Sequence, residues 1–98
     1  MIASLPMYLF DRAAVDAFWS ALAGVLRVHG LKEVPEALNW PEPEDLHSHW
    51  RREDLLVSQT CGYPLVLGLN GAVRVLGAFN YAADGCDGAL YRSYVVAR

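Results

Sequence analysis

Apolar positions along the chain alternate between short compact runs and one long helically spaced stripe. Residues 2–9 are mostly apolar but hold Pro6, which predicts a strand that ends early in a loop. Asp11 reads as an N-cap whose carboxylate accepts from the free amides of the next turn. Val15, Phe18, Leu22, Val25 and Leu26 then recur at helical spacing, with Trp19 widening the stripe. Gly30, after His29, supplies the left-handed stop. Residues 32–40 hold Pro35 and few charges, and a short second strand is expected over 37–40. Pro41 and Pro43 punctuate the chain, and Glu42, Glu44 and Asp45 stand where a helix start favours carboxylates. A short helix is therefore expected over 44–52, with Arg51 and Arg52 matching its negative end.

Residues 54–59 contain the compact run LLVS, the pattern of a buried central strand. The turn Thr60-Cys61-Gly62-Tyr63-Pro64 leads into Leu65, Val66, Leu67 and Leu69, a short helix with Pro64 suited to its first position. Asn70-Gly71 closes it. Val73, Val75 and Leu76 open a further strand toward Phe79 and Tyr81, residues 82–89 form a glycine-containing loop, and 90–97 resume as a strand. The order β-α-β-α-β-α-β-β implies a single α/β domain over residues 1–98 with a mainly parallel sheet.

Composition narrows the function classes. With 54% hydrophobic and only 19% charged residues, the chain is not of the disordered class. So few charges leave apolar surface for a partner. The net charge of −3 and the scattered basic residues argue against a nucleic-acid surface. No apolar run approaches the roughly 20 residues that span a membrane. The N-terminus lacks a basic stretch and does not read as a secretory signal, which points to the cytoplasm. Cys61 and Cys86 are too few for a disulfide scaffold and are expected as free, partly buried thiols.

Four constellations carry candidate chemistry. His47 and His49 lie two apart on a helix and point about 200° away from each other, which suits a solvated face rather than a metal site. Cys61 at a strand-to-helix turn has the placement of a nucleophile, but no histidine has a sequence claim on it, and a structural thiol is expected. The turn from Gln59 to Pro64 joins a strand to a helix start, where free amides attract anions. Thr60 adds a hydroxyl there, Gly62 an open backbone and Tyr63 a phenol. Spacing alone is equally compatible with an ordinary turn. At Tyr91-Arg92-Ser93, alternation puts the Tyr91 phenol and the Ser93 hydroxyl on one strand face, a pair of donors that suits an oxyanion.

Taken together, DLLVSQTCGYPL followed by VRVLGAFNYAADGCDGALYRSYVVAR resembles the phosphate/phosphonate-binding component of ABC transporters. The resemblance runs from IASLPMY to VVAR, and the order SQTCGYP, GCDG, YRS carries it. It implies a three-layer lobe of the type II periplasmic-binding-protein kind, non-catalytic, without cofactor or metal. Carried over by position, it nominates Thr60, Cys61, Gly62, Tyr63, Tyr91 and Ser93 as ligand-binding, with Tyr8 as a further residue at the same sheet edge. The implied partners are a small oxyanion (phosphate or a phosphonate) and an ABC permease, and the implied compartment is the periplasm. Relatives continue into a second lobe, so a first lobe alone is expected, supplying half of the ligand contacts. Its low charge and its late apolar strand lead to the expectation of a homodimer. The alternative reading is a truncated lobe acting as an oligomerising interaction module without ligand binding. A small thiol enzyme using Cys61 is the third.

Overall fold

The computed structural model describes residues 1–7, 11–91 and 94–97. β1 (Ile2–Ser4) and β2 (Leu55–Ser58) pair in parallel, with Ala3 opposite Val57, Ser4 opposite Ser58 and a register shift between Ile2 and Ala3. β1 stops short of Pro6, which has no N–H for a ladder. The amide of Asn39 donates to the Ala3 carbonyl at 2.7 Å, so the segment around Asn39 flanks β1 on its other side. The strand expected over 37–40 is reduced to this contact, because Pro35 and Pro41 on either side withhold donors. β1 is thus the flanked strand. β2, expected to be buried and central, is half-buried throughout.

α1 (Arg12–Val28) begins where Asp11 Oδ1 accepts from the amides of Ala13 at 3.0 Å and Ala14 at 3.4 Å. Its buried face is centred on Trp19 and Ala23, which form the core with Ala3, Leu5, Val34 and Leu38. Small Ala23 lets the helix approach the strand, and the Trp19 indole N–H donates to the Pro35 carbonyl at 3.2 Å. The expected stripe is rotated: Trp19 is 1% exposed, whereas Phe18 beside it is 46% exposed. Gly30, at φ 93°, takes the left-handed turn that releases the chain from the helix.

From the opposite face, a 3-10 turn (Pro43–Asp45) leads into α2 (Leu46–His49), shorter than the helix expected over 44–52. Pro43 starts that turn, and Arg51 and Arg52 lie beyond the helix rather than in its last turn. α3 (Gly62–Gly68) follows β2 and starts two residues before Pro64. The Arg51 guanidinium donates to the Gly68 carbonyl and ties the chain after α2 to the end of α3.

The strand expected over 73–81 does not form; those residues lie mostly exposed with no strand beside them. The last elements are β3 (Cys86–Asp87) and β4 (Leu90–Tyr91), an antiparallel hairpin in which Gly88 at φ 59° occupies the two-residue turn. Pairing therefore begins inside the expected loop over 82–89, and among the described residues of the strand expected over 90–97 only Leu90 and Tyr91 pair, while Tyr94 to Ala97 are exposed and unpaired. The architecture is α/β in the coarse sense: mixed helix and strand around a small parallel pair. No helix among the described residues is long and apolar enough to cross a membrane.

Candidate functional site

The parallel pair sends two loops out of its carboxyl edge, and one side chain joins them. Gln59, the residue after β2, accepts through Oε1 from the Met7 amide at 3.3 Å and donates through Nε2 to the Tyr81 hydroxyl at 3.1 Å. The loop after β1, the end of β2 and the distant Tyr81 segment thus converge on one amide group. Open α/β sheets bind ligands outside this edge.

The turn that follows carries four of the expected site residues. The Thr60 hydroxyl donates to the Cys61 carbonyl at 3.2 Å, and Cys61 is the N-cap of α3, with a partly buried thiol. The amides of Gly62 and Tyr63 have no intrahelical acceptor, and Pro64 has no N–H to satisfy. Tyr63 is 76% exposed and Tyr91 70% exposed, so neither phenol is held in a pocket. Thr60, Cys61, Gly62 and Tyr63 stand together as one turn. Tyr91 sits instead in the β3–β4 hairpin opposite Cys86, and among the described residues no hydrogen bond joins it to that turn. Tyr8 and Ser93 lie outside the described residues.

Beside this edge is a cavity of about 390 Å³ lined by Pro6, Arg12, Trp40, Pro41, Glu42, Pro43 and Leu46. The Arg12 guanidinium lies 4.3 Å from the centre of the Trp40 ring, a cation–π contact that fixes a positive charge near the start of α1. Sequence reasoning missed Gln59, Tyr81, Arg12 and Trp40 as site residues. Gln59 and Trp40 each bore a signal, because both stand at the carboxyl end of a segment that flanks β1.

A second polar group lies inside the fold. Ser4 Oγ is 2.8 Å from His49 Nε2 and 2.6 Å from Ser58 Oγ, and the Trp50 indole donates to Ser58 Oγ at 3.2 Å. Ser4 is 0% and His49 8% exposed, so this Ser–His pair is shut off from the surface and pins α2 to the strands. Burial, with the nearby Arg52 charge, lowers the His49 pKa below its ordinary value, while Asp54 opposes the shift. The solvated face expected for both histidines holds only for His47, whose ring meets Trp50 edge-on at 5.7 Å. Leu46, His49 and Trp50 share the i, i+3, i+4 spacing of an inward face, a signal the reading of both histidines as solvated left unused.

The chain matches no protein-family model, and no curated protein or solved structure matches it either.

Proposed function

We propose that the chain is a lobe of a solute-binding protein of the phosphate/phosphonate ABC-transporter type, three-layered and periplasmic-binding-protein-like, which receives a small oxyanion and carries out no catalysis. The observation that carries this reading is the convergence at Gln59 of the loops that leave the carboxyl edge of the parallel pair. The amides of Gly62 and Tyr63, which have no intrahelical acceptor, the Tyr81 hydroxyl and the Arg12 charge supply donors around that edge. Ser4 and His49 take no part, since neither is accessible. A permease would be the onward partner.

Calorimetric titration with phosphate, phosphite and methylphosphonate tests the proposal. Saturable heat from at least one of them, lost in Gln59→Ala, is the expected result. Silence from all three at millimolar concentration overturns it.

A further inference from the structure

The chain exposes 7712 Å². A compact monomer of 10.8 kDa is expected to expose only about 5,500 Å². The excess of roughly 2,200 Å² is more than twice the ~800 Å² that one partner contributes to a stable interface. The radius of gyration, 14.7 Å, likewise exceeds the ~12.6 Å of a compact 98-residue domain.

Two apolar features of opposite shape lie on this surface. One is a groove of about 380 Å³ between α3 and the chain that follows it, lined by Leu65, Val66, Leu69, Asn70, Val73 and Val75. The other is the unpaired segment from Tyr94 to Ala97, in which Val95 is 102% and Val96 87% exposed. Neither the groove lining nor the segment carries a charge. Residues 1–69 hold nine carboxylates against five basic side chains, whereas residues 70–98 balance Arg74, Arg92 and Arg98 against Asp84 and Asp87. Two copies would repel through the acidic part and meet without penalty through the last third.

We propose that this chain forms a two-fold dimer in which the segment around Val95 and Val96 of each copy lies in the α3 groove of its partner. Each chain offers one groove and one segment, so the reciprocal contact closes at two copies and leaves neither feature unfilled. This contact is independent of whether an oxyanion binds.

Light scattering behind a sizing column at tens of micromolar protein tests it, with near-ultraviolet circular dichroism of the tryptophans as the check on folding. The wild-type chain should elute at twice 10.8 kDa. Val66→Asp in the groove and Val96→Asp in the segment should each keep the folded spectrum and weaken the dimer by roughly tenfold or more. Mixing the two variants should recover dimer, because one of the two groove–segment contacts is then intact. A wild-type mass of 10.8 kDa, an open-ended series of larger species, or a mixture that stays monomeric overturns the proposal.

Discussion

Nε2 of His49 lies 2.8 Å from Oγ of Ser4, and that hydroxyl is also 2.6 Å from Ser58 Oγ. One buried group on β1 thereby holds both the second strand and the helix on the opposite face from α1. Ser4→Ala removes it and leaves His49 Nε2 buried without a partner, while Ser58 keeps the Trp50 indole. The expected cost is about 1–3 kcal/mol in urea unfolding. A loss under about 0.5 kcal/mol would show that packing alone holds α2 in place.

The same histidine makes the fold acid-sensitive. Its folded pKa lies below the ordinary histidine value of 6.5, chiefly because burial disfavours the charged ring, with Arg52 adding to the effect and Asp54 opposing it. On acidification the unfolded chain therefore takes up the proton first. The stability contributed by neutral His49 is present above pH 6.5 and is lost as pH falls through the folded value, by at most about 1.4 kcal/mol per pH unit. Thermal unfolding should move to lower temperature between neutral pH and pH ~5, and His49→Gln should flatten that slope. Asp54, whose carboxyl is held below 3.8 by its hydrogen bonds from Arg52, acts only at more acid pH. An unchanged slope in the variant removes His49 from the account.

The helix that covers the other face supplies a paired test. Trp19 and Phe18 are neighbours, yet Trp19 fills the core and donates to Pro35 while Phe18 stacks edge-on against Phe79 at 5.7 Å in a half-exposed setting. Trp19→Ala should cost about 3–5 kcal/mol, and Phe18→Ala no more than about 1 kcal/mol. Equal losses would mean that α1 is rotated from the orientation described.

These neighbours also mark the boundary of what the sequence reveals. Asp11, Gly30 and Gly71 act within a few residues of themselves, through caps and left-handed turns, and each does what its local chemistry predicts. The two parallel strands were legible as compact apolar runs. A stripe of helical spacing does not say which of two adjacent aromatics points inward; that depends on Ala3 and Leu5 across the interface. The apolar residues from Val73 to Tyr81 have strand-like composition, but a strand needs a neighbour to pair with, and none lies beside them among the described residues. The candidate site divides in the same way. Thr60 to Tyr63 were readable because they are contiguous, whereas the link from Gln59 to Tyr81 spans 22 residues and leaves no periodic trace.

Tyr63 and Leu56 separate surface from support. Tyr63 is exposed at the start of α3, so Tyr63→Ala should change stability by no more than about 0.5 kcal/mol while weakening oxyanion binding. Leu56 packs against the core only in part, and Leu56→Ala should cost about 1–2 kcal/mol, less than a fully buried leucine. Unfolding of the tyrosine variant would place its ring in the core and remove it from the site.

Gln59 allows binding to be separated from structure with two substitutions. Gln59→Ala loses both the Met7 and the Tyr81 contacts, so it should cost about 0.5–1.5 kcal/mol and expose the Met7 amide to faster hydrogen exchange. Gln59→Glu is nearly isosteric. Its carboxylate still accepts from the Met7 amide and accepts from the Tyr81 hydroxyl, which reverses its role and donates. The convergence of the three segments, and the protection of Met7, should therefore survive. The new negative charge, however, stands at the carboxyl edge where the oxyanion is proposed to bind, and like charges in such a site repel. Heat from phosphate or methylphosphonate should vanish in Gln59→Glu while the unfolding midpoint stays within a few degrees of wild type. If the glutamate variant keeps its fold and binds the anion as tightly as wild type, the oxyanion does not bind at this edge.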